Sequence, residues 1–349
     1  REPARPVRAT AVADVHVLSH SLIQHAERRR LLVFADNRQD AASQAGWMQD
    51  HSRRYRFREL MYQRIAQGGV SVGDLTTWLD DLLNSDDELS RALLPEVWRV
   101  ARKESAGHTH ENERKRFLRI QVLRELVMGS RQRIGLEPWG RLKVTYLGLE
   151  AMHPTILKWA NVLGCRAERL RDGIALLLDA MRARKALYDP EGEVFSKFWI
   201  EGEREIARGY LPLMQDVPTA YKIEREGDDH KDRIKQWWSR ANTSARQAAK
   251  AWGVADDDQE AFLRDIWRLL AEELRLLAPV TLKGARGKAL PQTSGAHQID
   301  ADKLILTPHR GMFQCDRCRR VHLRNHPTDR CMAWHCDGTL RWRDEPKDN

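Results

Sequence analysis

Four cysteines lie close together near the C-terminus: Cys315 and Cys318, then Cys331 and Cys336. The spacing is C-x2-C-x12-C-x4-C. Two thiolate pairs joined by a hairpin's length of chain can surround one ion tetrahedrally. Soft sulfur ligands select zinc, with an iron–sulfur cluster as the rival occupant. The last gap is wider than the commonest two residues, and His322, His326 and His335 are candidate substitutes, His335 foremost because it adjoins Cys336. A closed four-ligand site leaves no open position for substrate, so the expected role is structural. The expected element is a zinc ribbon, a knob that is unfolded without its metal. The turn Asp337-Gly338-Thr339-Leu340 that follows lets backbone N–H groups approach sulfur. Cys165 stands alone. Cysteines grouped this way form a metal set rather than a disulfide framework, which points to a reducing, cytoplasmic setting.

A second cluster of chemistry-bearing residues follows the apolar run Leu31-Leu32-Val33-Phe34. Asp36, Asn37, Arg38, Gln39 and Asp40 form a polar turn there, and an arginine-bearing amphipathic pattern continues after it. The apolar run reads as a buried strand of a parallel sheet. Asn37 suits an N-cap, and Asp40 three residues on can close a capping box and complement the helix dipole. The segment is thus a β-turn-α unit with polar side chains at the carboxyl end of a strand, where open α/β sheets bind ligands. The plainer alternative is a buried strand followed by a capped helix.

The third cluster is basic. Formal charge is +9, from 59 Lys+Arg against 50 Asp+Glu, which favours a polyanionic partner. Arg53, Arg54, Arg56, Arg58 and Arg64 decorate the helix after the turn, where they are either a nucleic-acid face or a solvated one. Lys283, Arg286 and Lys288 sit in a glycine-rich turn between Val280-Thr281-Leu282 and the strand-like runs Gln298–Asp300 and Leu304–Leu306. Helices followed by a basic hairpin suggest a winged-helix domain, whose wing can contact phosphates. Most of the twelve tryptophans are expected in cores or domain interfaces.

The periodicity predicts the elements that hold these clusters. Helices are expected over 9–30, from Asp40 to about Gln67, over most of 74–128, over 155–188, around Trp237-Trp238 and from about Asp257 to Leu277. Strands are expected at Leu31–Ala35 and Leu142–Tyr146. The tract Glu96–Val100 is ambiguous, and 190–233 is irregular, a boundary or a functional loop. No stretch approaches the roughly 18 apolar residues of a membrane span. The opening, beginning at Arg1, is not a signal peptide and suggests an excerpt of a longer polypeptide.

The run Val33-Phe34-Ala35-Asp36-Asn37-Arg38-Gln39-Asp40-Ala41-Ala42, with Gln44-Ala45-Gly46 after it, resembles motif IV of superfamily 2 DEAD/DEAH-box helicases. The likeness is to large prokaryotic members, some DISARM-like and others repair-related, that carry a zinc-ribbon insertion. It implies an α/β start, part of a RecA-like lobe, followed by a mainly α insertion with a winged-helix-like domain and a small zinc ribbon. It implies four segments: 1–70 in the second RecA-like lobe, 71–190 a helical insertion, 191–310 winged-helix-like, and 311–349 the ribbon. It also implies that Asn37, Arg38 and Gln39 face the DNA track or the cleft between lobes, with Arg38 on a phosphate. The partners it implies are single-stranded or forked DNA, the remaining helicase domains and other subunits of a defence or repair system.

The chain lacks a GxxxxGK[ST] loop, since Gly287-Lys288 is followed by Ala289, and it lacks a QxxGRxGR tract. ATP and magnesium would therefore bind only in the parent motor, and this stretch alone should not hydrolyse ATP. The alternative reading is a non-catalytic winged-helix and zinc-ribbon module that binds DNA or protein. A metal-dependent hydrolase has little support, because the histidines form no HExxH array.

Overall fold

The structure, a computed structural model, describes residues 38–94, 107–127, 135–183, 186–189, 222–223, 232–233, 243–279, 297–331 and 336–344. The expected helix over 9–30, the strand Leu31–Ala35, the tract Glu96–Val100, the Trp237-Trp238 helix and most of 190–233 lie outside those residues. The chain divides into two compact units, Arg1–Glu59 and Leu60–Asn349.

Helix α1 spans Arg38–Ile65, close to the expected bounds. Leu60, Met61 and Ile65 near its end are buried, as the apolar stripe requires. Gly68 follows with φ +151°, donating its N–H to the Ile65 carbonyl at 3.0 Å. Strand β1, Val70–Ser71, leads into α2, Val72–Ser85. Ser71 caps that helix by accepting from the Asp74 amide at 3.0 Å. Leu75, Leu79 and Leu83 on α2 are buried, while Trp78 and Leu82 lie half-buried at the edge of the stripe. Helix α3, Asp87–Leu93, is short. Helix α4, Gly107–Leu126, presents the wide apolar face read from sequence, with Phe117, Leu118, Ile120, Leu123 and Leu126 buried. It packs against α2.

Strand β2, Leu142–Tyr146, buries Leu142, Val144 and Tyr146 in alternation. The expectation of one helix over 155–188 is corrected. Helix α5, Pro154–Val162, and helix α6, Ala167–Arg182, are separate, and β3, Leu187–Tyr188, follows. The break is at Gly164, whose φ of +60° closes α5 in the left-handed conformation that glycine adopts without cost. Strands β4, Lys222–Ile223, and β5, Asp232–Arg233, pair antiparallel. Helix α7, Ser244–Ala251, is capped by Thr243. Helix α8, Gln259–Arg268, runs into a π turn at Leu269–Glu273. The expected helix to Leu277 therefore stops earlier, and Leu277 opens strand β6, Leu277–Pro279. The buried Trp159 of α5 and Trp252 after α7 both meet Phe262 of α8 edge-on, at 5.1 and 6.3 Å between ring centroids. These are core tryptophans, as the composition predicts.

The remaining strands are β7, His297–Asp300, β8, Leu304–Pro308, β9, Met312–Cys315, β10, Val321–His322, and β11, Leu340–Arg343. They complete three small sheets, ordered β1-β8-β2, β3-β7-β6 and β10-β9-β11. In the first, β8 is central, with Leu306 opposite both Val70 and Val144. In the second, β6 and β7 are antiparallel and β3 runs parallel to β7. The third carries the cysteines. The architecture is thus mixed, helices with small sheets. Among the described residues no helix is long and apolar enough to cross a membrane.

Candidate metal centre

Cys315 ends β9, and Cys318 follows in the turn after it. Cys331 and Cys336 come from the segment that returns to β11. All four sulfurs lie within 4.8 Å of one another. Cys315–Cys336 and Cys318–Cys331 are each 3.6 Å apart. Zinc–sulfur bonds of about 2.3 Å would set tetrahedral edges of about 3.8 Å, so the cage is already close to the size one ion needs. The set of four named from the sequence is thus the set the fold brings together. The centre could hold a metal ion and is compatible with structural zinc.

The local backbone is shaped for this. The Cys318 amide donates to Cys315 Sγ at 3.4 Å, and Arg319, just past it, has φ +59° as the chain turns back to let the Arg320 carbonyl accept from the Cys315 amide at 2.9 Å. Burial raises the Cys315 thiol pKa. Amides of Cys318 and Arg317, with the neighbouring thiols, overcome this and bring it down to about 7, the direction a thiolate ligand requires. Across the cage, a Cβ on Gly338 would fall 2.4 Å from Cys315 Sγ and 2.9 Å from Arg317 Cβ. Only glycine lets the backbone there approach the sulfur so closely. Gly338 also accepts from the Cys331 amide at 2.8 Å. Leu340 and Phe313 pack beside the cysteines.

The histidines take other roles. His322 Nε2 lies 3.8 Å from Cys331 Sγ. Burial, followed by the neighbouring His326 and Arg320, depresses its pKa to about 4, leaving a neutral imidazole that can donate to sulfur from outside the ligand set. His326 is fully buried. Its Nδ1 accepts from the Thr328 amide at 3.4 Å, and its Nε2 meets the Arg330 carbonyl. It staples the loop between the cysteine pairs. His335 lies outside the described residues.

A buried ionic network, not anticipated from sequence, ties the ribbon to the helices. Arg324, between the two cysteine pairs, is 3% exposed. Its Nε donates to Asp179 Oδ2 at 2.8 Å, its Nη2 to the Val144 carbonyl, and its guanidinium lies 5.8 Å from the Tyr146 ring centroid. Asp179 also accepts from the Tyr146 hydroxyl at 2.8 Å and from Arg182 at 3.1 Å. Arg182 in turn forms a bidentate pair with Glu137, both bonds at 2.7 Å, and donates to the Leu126 carbonyl. Burial alone would raise the Asp179 pKa, but Arg324 and Arg182 hold it below the usual carboxylate value. The cysteine-bearing segment is thereby held to β2 and α6 by Arg324. Arg324, being enclosed, is not available to a nucleic acid. Arg317 is exposed but paired with Asp337.

The sequence signal for this network was a carboxylate inside the apolar run Leu176-Leu177-Leu178-Asp179-Ala180-Met181, since a charge on a core face needs a partner. The expected nucleic-acid residues are placed less fully. Arg38 and Gln39 are the first residues of α1, and Asn37, Lys283, Arg286 and Lys288 lie outside the described residues. Of the helix arginines, Arg56 is exposed and pairs with Glu59 at 2.6 Å, whereas Arg58 is buried. No family model, curated protein or solved structure matches the chain.

Proposed function

We propose that this chain is part of an ATP-dependent DNA helicase or translocase, with its first residues in the second RecA-like lobe and the remainder a DNA-guiding insertion that carries structural zinc. The observation that carries the reading is the sequence Asp36-Asn37-Arg38-Gln39-Asp40-Ala41, whose last four residues open the long helix Arg38–Ile65. ATP and magnesium would belong to the parent motor, in a cytoplasmic defence or repair system. Support for a winged-helix-like insertion comes from the succession of α7, α8 and the antiparallel pair β6–β7. The chain between those strands contains Lys283, Arg286 and Lys288.

The test is binding of labelled single-stranded and forked DNA across a salt series. The expected result is affinity that falls steeply with salt, about 0.7 logarithmic units per phosphate neutralised on single strands, and that weakens with Arg38→Ala. Binding untouched by Arg38→Ala but abolished on changing Lys283, Arg286 and Lys288 to glutamine would overturn the lobe assignment. It would favour the autonomous winged-helix and zinc-ribbon module instead. One observation favours that second reading: Leu60–Asn349 is a compact unit by itself.

A further inference from the structure

We infer that the four-cysteine centre is a peroxide-responsive redox device, in which oxidation expels the metal and closes two disulfides across the cage, Cys315–Cys336 and Cys318–Cys331. The inference rests on the reading of the centre as a structural zinc site. The sulfurs decide which cross-links form. All four lie within 4.8 Å of one another, and the close approaches run across the cage, at 3.6 Å in each of the two named pairs. A disulfide is about 2.05 Å long, so each pair must close by about 1.5 Å, which rotation of the side chains covers. The backbone on both sides is braced without the metal. The Cys315 amide donates to the Arg320 carbonyl at 2.9 Å, and the Asp316 amide to the Thr339 carbonyl at 3.0 Å. On the returning segment the Cys331 amide donates to the Gly338 carbonyl and the Leu340 amide to the Asp329 carbonyl, both at 2.8 Å. The cross-cage disulfides therefore replace the metal's tie between the two halves of the cage. Disulfides within Cys315–Cys318 or Cys331–Cys336 would join near neighbours in the chain and supply no such tie.

Exposure sets the order of events. Cys318 is exposed and Cys336 half-buried, whereas Cys315 and Cys331 are buried. A peroxide therefore meets the Cys318 thiolate first, since oxidation follows thiolate character and access. The Cys318 sulfur attacks one peroxide oxygen, the O–O bond breaks and hydroxide leaves, giving a sulfenic acid. The Cys331 thiolate, 3.6 Å away, then attacks that sulfur. The S–S bond forms, the S–O bond breaks and a second hydroxide leaves, so two electrons have passed to one peroxide. Only two thiolates now remain to hold the ion. A second peroxide oxidises Cys336, the more open of these, and Cys315 closes the second disulfide in the same way. Four thiolates and two peroxides thus give two disulfides and four hydroxides, with release of one zinc ion. The centre also loses the negative charge by which four thiolates exceed a divalent ion. The ribbon, which already exposes Arg319, Arg320 and Arg330 beside the cysteines, becomes more cationic.

The experiment adds hydrogen peroxide to the reduced, zinc-loaded full chain carrying Cys165→Ser, which removes the one thiol outside the centre. Zinc content is measured before any peroxide is added. A folded sample that takes up no zinc sinks the structural-zinc reading, and this inference with it. In a loaded sample, zinc release is followed with a colorimetric chelator, and disulfides are mapped by mass spectrometry after digestion in acid, where exchange is blocked. The expected result is one zinc released for two peroxides consumed, and a mass lower by four hydrogens than that of the reduced, metal-free chain. The mapped pairs should be Cys315–Cys336 and Cys318–Cys331. The circular dichroism spectrum should keep its folded form, and dithiothreitol with added zinc should restore the full metal content. Zinc retained under an about tenfold excess of peroxide refutes the device while leaving the structural-zinc reading intact. So does any other pairing, and so do sulfinic or sulfonic acids as the main products with the folded spectrum lost.

Discussion

Replacing Arg324 with leucine should destabilise the Leu60–Asn349 unit and loosen the metal centre together. The side chain is enclosed, with charge-assisted donation to Asp179 at 2.8 Å and a further bond to the Val144 carbonyl. Removing one member of a buried ion pair costs about 3–5 kcal/mol, because the other charge is left behind. Here Asp179 keeps the Tyr146 hydroxyl and Arg182, which places the expected loss at the lower end, about 3 kcal/mol. For a unit of this size that corresponds to a fall in melting temperature of about 6–10 °C. Arg324 lies in the chain between Cys318 and Cys331, so zinc transfer to a colorimetric chelator should accelerate in parallel. Arg324→Lys should fall between parent and leucine variant, since an ammonium lacks the planar fork that serves a carboxylate and a carbonyl at once. The assay is thermal denaturation of zinc-loaded protein followed by circular dichroism, with chelator kinetics on the same samples. A melting temperature within 2 °C of the parent, with zinc release unchanged, would refute the view that this network docks the ribbon.

Two further outcomes are expected. Gly338→Ala places a methyl 2.4 Å from Cys315 Sγ, and the shift it forces should cost about 1–3 kcal/mol; zinc retention under competing chelator checks it, and parent-like retention would show the turn can yield. Asp265 links α5 to α8 through Lys158 Nζ at 2.7 Å and Trp159 Nε1 at 2.9 Å. Burial raises its pKa, but these two donors outweigh that and hold it below the ordinary 3.8. Between the folded and unfolded pKa values the unfolded chain then binds more protons, so this stabilisation is present above about pH 4 and is lost as pH falls below it. Asp265→Asn should cost about 1–2 kcal/mol at pH 7 and flatten that acid limb, as urea titrations between pH 3 and 7 would show.

Some of this was legible in the sequence, for identifiable reasons. The cysteine spacing defined its own ligand set, because two close cysteine pairs joined by a hairpin's length of chain can converge on one ion. Long helices with one apolar face, α2 and α4 above all, were readable because burial follows a 3.6-residue period, and β2 because Leu142, Val144 and Tyr146 alternate. The break between α5 and α6 was missed although Gly164 marks it; apolar residues on both sides kept the helical period and outweighed one glycine. The end of α8 was missed for a similar reason, since Leu274, Leu276 and Leu277 continue an apolar pattern through a change of structure. The Glu137–Arg182–Asp179–Arg324 network was invisible because its members are up to 187 residues apart (Glu137 to Arg324), and arginine is ordinarily a surface residue.

Strand β8 has a consequence for how the molecule comes to be built. It is the middle strand between β1 and β2, yet it is made more than 150 residues after Tyr146. Until it emerges from the ribosome, β2 has a buried-type apolar face and no hydrogen-bonded neighbour, the condition in which edges recruit other chains. Pairings this distant in sequence form slowly, because the intervening loop must first be closed. The helices made earlier must therefore wait for a latch delivered late, and a nascent chain stalled before residue 304 is the species most in need of a chaperone.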